Sequence, residues 1–328
     1  MRAVWYERTG PAREVLTLGE MPTPSPGPGE VLVRLATSGV NPSDWKTRSG
    51  NRPMVGPRVI PHSDGAGTVE AVGGGVDRAR IGERVWIWNG QWKRPFGTAA
   101  EHIALPAAQA VRLPEAVPFE AGACLGIPAL TAWRAVQTDG GVDGQSVLVA
   151  GGAGAVGHYA IQMAKLLGAR QVIATVSSSA KAAQARAAGA DAVIDYRAED
   201  VAARVKELTG GRGVDRVVEV DLAANGALLP QVVARDGWCV CYGSGKADVA
   251  LPFGPMIMSG AAVRFFIVYE LPDAARAEGL AQVTRWLEAG ALQHAIGRVL
   301  PLSEVVAAHE LVERGEVTGN VVLTTGAA

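Results

Sequence analysis

The stretch VLVAGGAGAVG, residues 147–157, followed by an amphipathic run to Leu167, decides the fold of this chain. A short apolar run bounded by glycine reads as a buried strand, and the helical period that follows reads as a helix packed on it. Gly151 lets the chain leave the strand in a tight turn. Gly154 lets backbone approach a pyrophosphate with no Cβ between, and Gly157 lets the helix lie close to the sheet. The helix N-terminus then offers unpaired N–H groups to phosphate. With 41 glycines in the chain, three at this spacing also arise by chance, so the weight rests on the flanking strand and helix. A βα turn that holds no ligand is the plainer alternative.

Working outward, the alternation continues. Strands are expected at 146–150, 171–176, 192–194, 214–220, 237–242 and 263–268. Helices are expected at 156–167, 179–188, 200–208, 226–234 and 274–289, several closed by glycine in the left-handed position that ends a helix. Six strands separated by helices predict an α/β fold with a doubly wound parallel sheet over residues 121–292. Residues 1–120 differ in character. Short β-type runs at 30–35, 67–72 and 84–87 are punctuated by PTPSPGPGE and GGGV, which reads as an all-β, barrel-like module. After about Gly290 short strands return at 297–300 and 320–324 around a helix at 302–314, and this tail, 293–328, is expected to complete the first module.

The composition narrows the function classes. A chain of 328 residues with 48% hydrophobic and 19% charged side chains has room for two cores and reads as a compact globule. A net charge of −1 gives no electrostatic argument for nucleic acid or an anionic membrane. The start, MRAVWYERTG, lacks an apolar signal region and no long apolar run occurs, so a cytoplasmic protein is expected. Cys239 and Cys241 alternate along one strand face. Two thiols at that spacing suit a metal, but a buried apolar face is the simpler reading.

The end of the second strand selects the cofactor. NAD-binding units place a carboxylate there for the ribose hydroxyls. Here the chain reads Thr175-Val176-Ser177-Ser178-Ser179-Ala180-Lys181, with hydroxyls and a cation instead. A carboxylate would repel a 2′-phosphate, whereas Lys181 attracts one, so NADPH is expected over NADH. A serine helix cap beside a solvated lysine is the competing explanation. Tyr196, after the third strand, is placed to stack near the adenosine end or to be an ordinary surface tyrosine.

Several longer stretches carry a family resemblance. They are GVNPSDWKTRSG (39–50), PHSDGAGTVEAVG (61–73), GERVW (82–86), GTAAEHIALP (97–106), GIPALTAWRAV (126–136), VLVAGGAGAVGHYAIQMAKLLGA (147–169) and TGNVVL (318–323). In order and spacing they resemble the zinc-free quinone oxidoreductase, or zeta-crystallin-like, branch of the medium-chain dehydrogenase/reductase superfamily. The resemblance implies a GroES-like domain from both chain ends, a Rossmann domain between, and NADPH in a cleft between the two. It also places Asn41, Lys46 and Thr131 at the nicotinamide end as the residues that act on the reaction. Gly151 and Ala153-Gly154-Ala155-Val156-Gly157 fall at the pyrophosphate. Ser177, Ser178, Lys181 and Tyr196 fall at the adenosine phosphate. Asn225, Gly243-Ser244-Gly245, Ile267-Val268-Tyr269 and Asn320 line the cofactor. The departures matter too. Many relatives have tyrosine at the place of Lys46 and lysine at that of Asn320, and His62 stands where quinone reductases commonly have glycine. The catalytic cysteine, histidine and cysteine of zinc relatives correspond to Asn41, Ser63 and Ile127, which make no zinc site.

The resemblance implies NADPH-dependent two-electron reduction of a quinone, with Lys46 or the Asn41 amide stabilising charge on the acceptor oxygen. Reduction of the C=C bond of an enone or 2-alkenal is an alternative using the same donors. A crystallin-like NADPH-binding protein with little catalysis is a second. The sixth strand, 263–268, is apolar and expected at a sheet edge, which predicts a homodimer through that edge.

Overall fold

In the computed structural model of this chain, residues 1–326 are described. They divide into two compact units, Met1–Pro128 with the segment from Leu280 onward, and Ala129–Gly279.

In the first unit, strands β1 (Arg2–Trp5) and β2 (Thr17–Glu20) form an antiparallel pair. The long β3 (Glu30–Val40) pairs antiparallel with β4 (Asp64–Val72), and β4 with β5 (Arg84–Ile87). Strand β6 (His102–Pro106) lies against β3, and β7 (Ala110–Arg112) against β5. Val31, Val33 and Leu35 alternate inward along β3 and meet Val69, Val85, Ile87, Ile103 and Leu105 in one core, as the period of two requires. The barrel-like expectation is modified by short helical segments, among them Pro42–Lys46.

The second unit holds β8 (Ser146–Val149), β9 (Gln171–Val176), β10 (Ala192–Asp195), β11 (Val214–Glu219), β12 (Val233–Cys241) and β13 (Ala262–Phe265). They form one parallel sheet in the order β10-β9-β8-β11-β12-β13. This is the Rossmann order, and it reverses direction between β8 and β11, where the carboxyl ends open a crevice. All four residues of β8 are buried, which is why its sequence is an unbroken apolar run. Cys239 and Cys241 are buried together on one face of β12 beside Ile173 and Val217.

Three expectations for this unit need correction. No helix spans 226–234. One single turn, Leu222–Asn225, ends just before that stretch and another, Leu229–Val232, lies within it, because Pro230 has no N–H to continue a helix from the preceding turn and Val233 already enters β12. The helix 274–289 does not separate two strands, since Asp273–Glu288 follows β13. The helix that precedes β13 is Phe253–Ser259, a short apolar segment that resembles a loop because Pro255 sits in its first turn. The sixth strand also stops at Phe265. Val268–Glu270 is a tight helical turn whose carbonyls at Val268 and Tyr269 are bound by the Arg276 guanidinium.

The chain then supplies β14 (Ile296–Pro301) and β15 (Asn320–Thr324) around the helix Val305–Arg314. Strand β15 pairs antiparallel with β3, Val321 opposite Val40, so the tail completes the sheet of the first unit. No helix among the described residues is long and apolar enough to cross a membrane.

Candidate functional site

The glycine turn joins β8 to the helix Ala155–Leu166. Gly151 has φ +66°, a left-handed conformation that a side chain adopts only with strain. A Cβ on Gly157 would lie 2.2 Å from the Gly151 carbonyl oxygen, so only glycine lets helix and turn approach this closely. Gly152, absent from the sequence-based set, is also closely packed, since its Cβ would meet Ala174 Cβ at 2.7 Å. Gly154 is the N-cap and offers no side chain, so the first N–H groups of the helix, from Ala155 and Val156, have no side-chain cap. Thr175 ties the turn to β9 by accepting from the Gly151 N–H at 3.2 Å and, through its carbonyl, from Gly152 at 2.9 Å.

At the end of β9 the expected phosphate ligands are together. Lys181 Nζ donates to Ser177 Oγ at 3.1 Å, and Ser178 Oγ accepts from the Lys181 N–H, capping the helix Ser179–Ala187. The serine cap is therefore present, and Lys181 lies beside the Ser177 hydroxyl. Tyr196, half exposed, follows β10.

A cavity of about 240 Å³ opens at the carboxyl ends of these strands, lined among others by Gly151, Thr175, Tyr196, Asp221 and Asn225. Asn225 donates its amide to Glu219 at 3.0 Å, and the Asp221 N–H donates to the same oxygen at 2.6 Å. Burial raises the Glu219 carboxyl above its ordinary range against the pull of those two donors. Gly245 N–H binds the Asp221 carboxylate at 2.8 Å, and Ser244 Oγ donates to the Lys246 carbonyl, which shapes the turn after β12. Ile267 is exposed, whereas Val268 and Tyr269 are buried. Thr131, in the first turn of the helix Leu130–Gln137, is 4% exposed, and its hydroxyl has no partner among the described residues.

In the first unit, Asn41 caps the helix Pro42–Lys46 and is 3% exposed. Its N–H donates to Asp44 at 2.7 Å and its amide Nδ2 donates to Asp64 at 2.9 Å. Asp64 also accepts from the Ile127 N–H at 3.0 Å. Burial pushes Asp44 up to about 7 and Asp64 well above the ordinary carboxylate range. Lys46 is half-buried with its ammonium 5.8 Å from the Trp45 ring centroid. Asn320 is committed elsewhere, since both its N–H and its amide bind the Ala295 carbonyl. Asp64 and Asp44 are absent from the site residues expected from sequence, although both are buried acids. The available signal is a carboxylate at the head of the otherwise uncharged run DGAGTV. Sequence reading also misses His309, whose Nε2 lies 2.9 Å from that of His62 across 247 positions of sequence. Among the described residues no group of three or more His, Cys, Asp or Glu side chains is arranged to hold a metal.

Two family models match the chain, an alcohol dehydrogenase GroES-like domain over residues 27–115 and a zinc-binding dehydrogenase over 155–286. A quinone oxidoreductase of Pseudomonas aeruginosa is 38% identical over 237 residues, 72% of this chain and 71% of that protein. A 2-haloacrylate reductase of Burkholderia sp is 32% identical over 339 residues, 98% of each chain. Among solved structures, an NAD-dependent alcohol dehydrogenase superposes with TM-score 0.90 at 32% identity, covering 99% of this chain and 100% of the other. A mycobacterial protein complexed with NADPH superposes with TM-score 0.85 at 32% identity, with coverages of 99% and 100%.

Proposed function

Because this chain belongs to the quinone oxidoreductase branch of the medium-chain dehydrogenase/reductase superfamily, we propose that it is an NADPH-dependent quinone oxidoreductase that works without zinc. The observation that carries the cofactor choice is the Lys181–Ser177 pair at the end of β9, in the place where NAD-binding units carry an acid. The residues present fit a dinucleotide. The start of the helix at Ala155 and Val156 has no side-chain cap and so offers N–H groups to the pyrophosphate, Lys181 and two serine hydroxyls suit a 2′-phosphate, and the buried Thr131 hydroxyl awaits a partner. Bound NADPH would supply the hydride; the protein has to orient the reactants and receive the charge that develops on the acceptor oxygen. The Asn41 amide, fixed by Asp64, and the Lys46 ammonium are the candidate groups for that charge. The protons follow from water. Zinc independence rests on donor chemistry: Asn41 offers an amide in place of a thiolate, Ile127 is aliphatic, and a lone Ser63 hydroxyl is a poor zinc ligand.

Reduction of a conjugated C=C bond is the second reading, favoured by the match of nearly the full chain to a protein named 2-haloacrylate reductase. The homodimer belongs to the same proposal. Phe253, Ile257, Met258 and Phe265 are 77%, 64%, 75% and 63% exposed on edge strand β13 and the helix before it, an apolar surface that a second copy would cover.

Calorimetric titration with NADPH and NADH, with Lys181→Ala alongside, tests the cofactor. A lysine about 4 Å from a phosphate is worth about 1 kcal/mol in bulk water and more where water is thinned, so about tenfold in Kd is expected. Loss confined to NADPH supports the reading; equal loss for both, or a preference for NADH, overturns it. Turnover of benzoquinone and phenanthrenequinone against hexenal then separates the two acceptors, and rates above background with the enal alone would leave only the second.

A further inference from the structure

The hydrogen-bond chain that runs through the buried His62–His309 pair has a direction fixed by one of its ends. Thr98 Oγ1 lies 2.5 Å from the Asp64 main-chain carbonyl, which can only accept, so the threonine hydrogen is spent there. Ser38 Oγ, 2.8 Å from Thr98 Oγ1, therefore donates to it. His62 Nδ1, 2.9 Å from Ser38 Oγ, then donates to the serine. A neutral His62 is left with a bare Nε2, and His309 Nε2–H donates to it at 2.9 Å. The last atom in line, His309 Nδ1, must be a lone pair, and it is the ring nitrogen that has no partner among the described residues. Both rings are fully buried and nearly stacked, with centroids 5.1 Å apart. Burial drives both away from the charged form, and Arg48 adds to this at His309.

This chain holds a strained turn. His62 has φ +77°, in the left-handed region that favours glycine. The main chain on either side is clamped as well, with Thr98 N–H on the His62 carbonyl, Ala99 N–H on that of Pro61 and Gly90 N–H on that of Ser63. The next residue is Asp64, whose carboxyl grips the Asn41 amide and the Ile127 N–H.

We propose that His62 is a positioning residue: with His309, Ser38 and Thr98 it forms a one-way polar strut that sets Asp64 and, through it, the orientation of the Asn41 amide. The link to catalysis rests on the role given to Asn41 above; the strut itself does not. A proton cannot be relayed along it, because its far end is a carbonyl.

The test is imidazole ¹⁵N NMR on the full chain, with Thr98→Val and Thr98→Ser. In the native chain His62 carries its hydrogen on Nδ1 and His309 on Nε2. Thr98→Val keeps the shape and removes the hydroxyl. Ser38 then turns its hydrogen toward His62, and both tautomers invert. Thr98→Ser keeps them. With the strut cut, exchange of the Asn41 amide hydrogens accelerates and kcat falls, each about tenfold, with KM for NADPH unchanged. Thr98→Ser restores both. A native His62 protonated on Nε2, or either ring doubly protonated at neutral pH, overturns the strut. Inverted tautomers with unchanged Asn41 exchange overturn the positioning role. If no form reduces a quinone, the functional reading fails while the two NMR readouts still decide this one.

Discussion

Replacing Asp44 by asparagine isolates the cost of a buried acid beneath the Asn41 turn. Asp44 is 5% exposed, and burial outweighs the Asn41 N–H it accepts and the charge of Arg52, both of which favour its ionised form. In the folded chain it keeps its proton up to about 7, mainly through burial, whereas the unfolded chain releases it near 3.8. Between those values the folded state binds more protons, so stability falls as pH rises and the full penalty is present above pH 7. A shift of roughly three pKa units at 1.36 kcal/mol each gives about 4 kcal/mol. Asp64 acts in the same direction. His62 and His309 act in the opposite one: the unfolded chain takes up their protons below about 6.5, the folded chain does so only near 3 for His62 and far below normal for His309, and stability falls as pH drops. In the native chain these slopes partly cancel between about pH 4 and 6.5. Asp44→Asn removes one side of the balance. Denaturant melts of both proteins at a series of pH values should show the variant gaining about 4 kcal/mol relative to wild type between about pH 4 and pH 8, on top of any constant offset from repacking. Parallel stability curves would refute the reasoning, because Asp44 would then titrate in the folded chain as it does unfolded.

Gly157→Ala places a methyl 2.2 Å from the Gly151 carbonyl, so the turn or the helix must shift; a loss of about 1–3 kcal/mol in stability is expected by thermal melting, with NADPH binding weakened by more than that shift explains. Asp215 accepts from the Ser146 N–H and hydroxyl and from Arg212, which draws its carboxyl down to about 2 against the opposing effect of burial. The stability this supplies is present above about pH 4 and lost as pH falls toward 2, so Asp215→Ala should cost about 2 kcal/mol at neutral pH and almost nothing near pH 2. Phe265→Asp puts a charge on the exposed edge strand β13; sedimentation at micromolar concentration should show a native dimer and a monomeric variant, and a native monomer removes the assembly proposal.

The parts of the fold that could be read from sequence are those whose cause is local. The β8 run is apolar because the strand is buried on both faces, and the glycines after it are required by a positive φ and by a close approach within seven residues. The serine cap before the helix Ser179–Ala187 was legible for the same reason, since Ser178 and the Lys181 N–H it accepts from lie three positions apart. The errors mark where distant contacts or a single proline overrule the pattern. The stretch 226–234 has helical periodicity, yet Pro230 breaks it and β12 claims Val233. Phe253–Ser259 has too few polar residues to display a helical period, because its apolar face points out of the described chain.

The polar interior of the first unit was the least legible, and the reason is physical. Buried hydrogen bonds join whichever side chains the fold brings together, with no fixed spacing to announce them. His62 to His309 spans 247 positions, Asn41 to Asp64 spans 23, and Ser38 to Thr98 spans 60. A lone histidine in sequence reads as a departure from glycine. In the structure the same side chain closes a chain of donors, and that chain accounts for a backbone angle glycine would have adopted without strain. Histidine where quinone reductases commonly have glycine therefore has a consequence for the turn itself. It implies a turn held by its side chain as well as by its main chain, and it makes the orientation of Asn41 depend on four residues that sequence alone gave no reason to group.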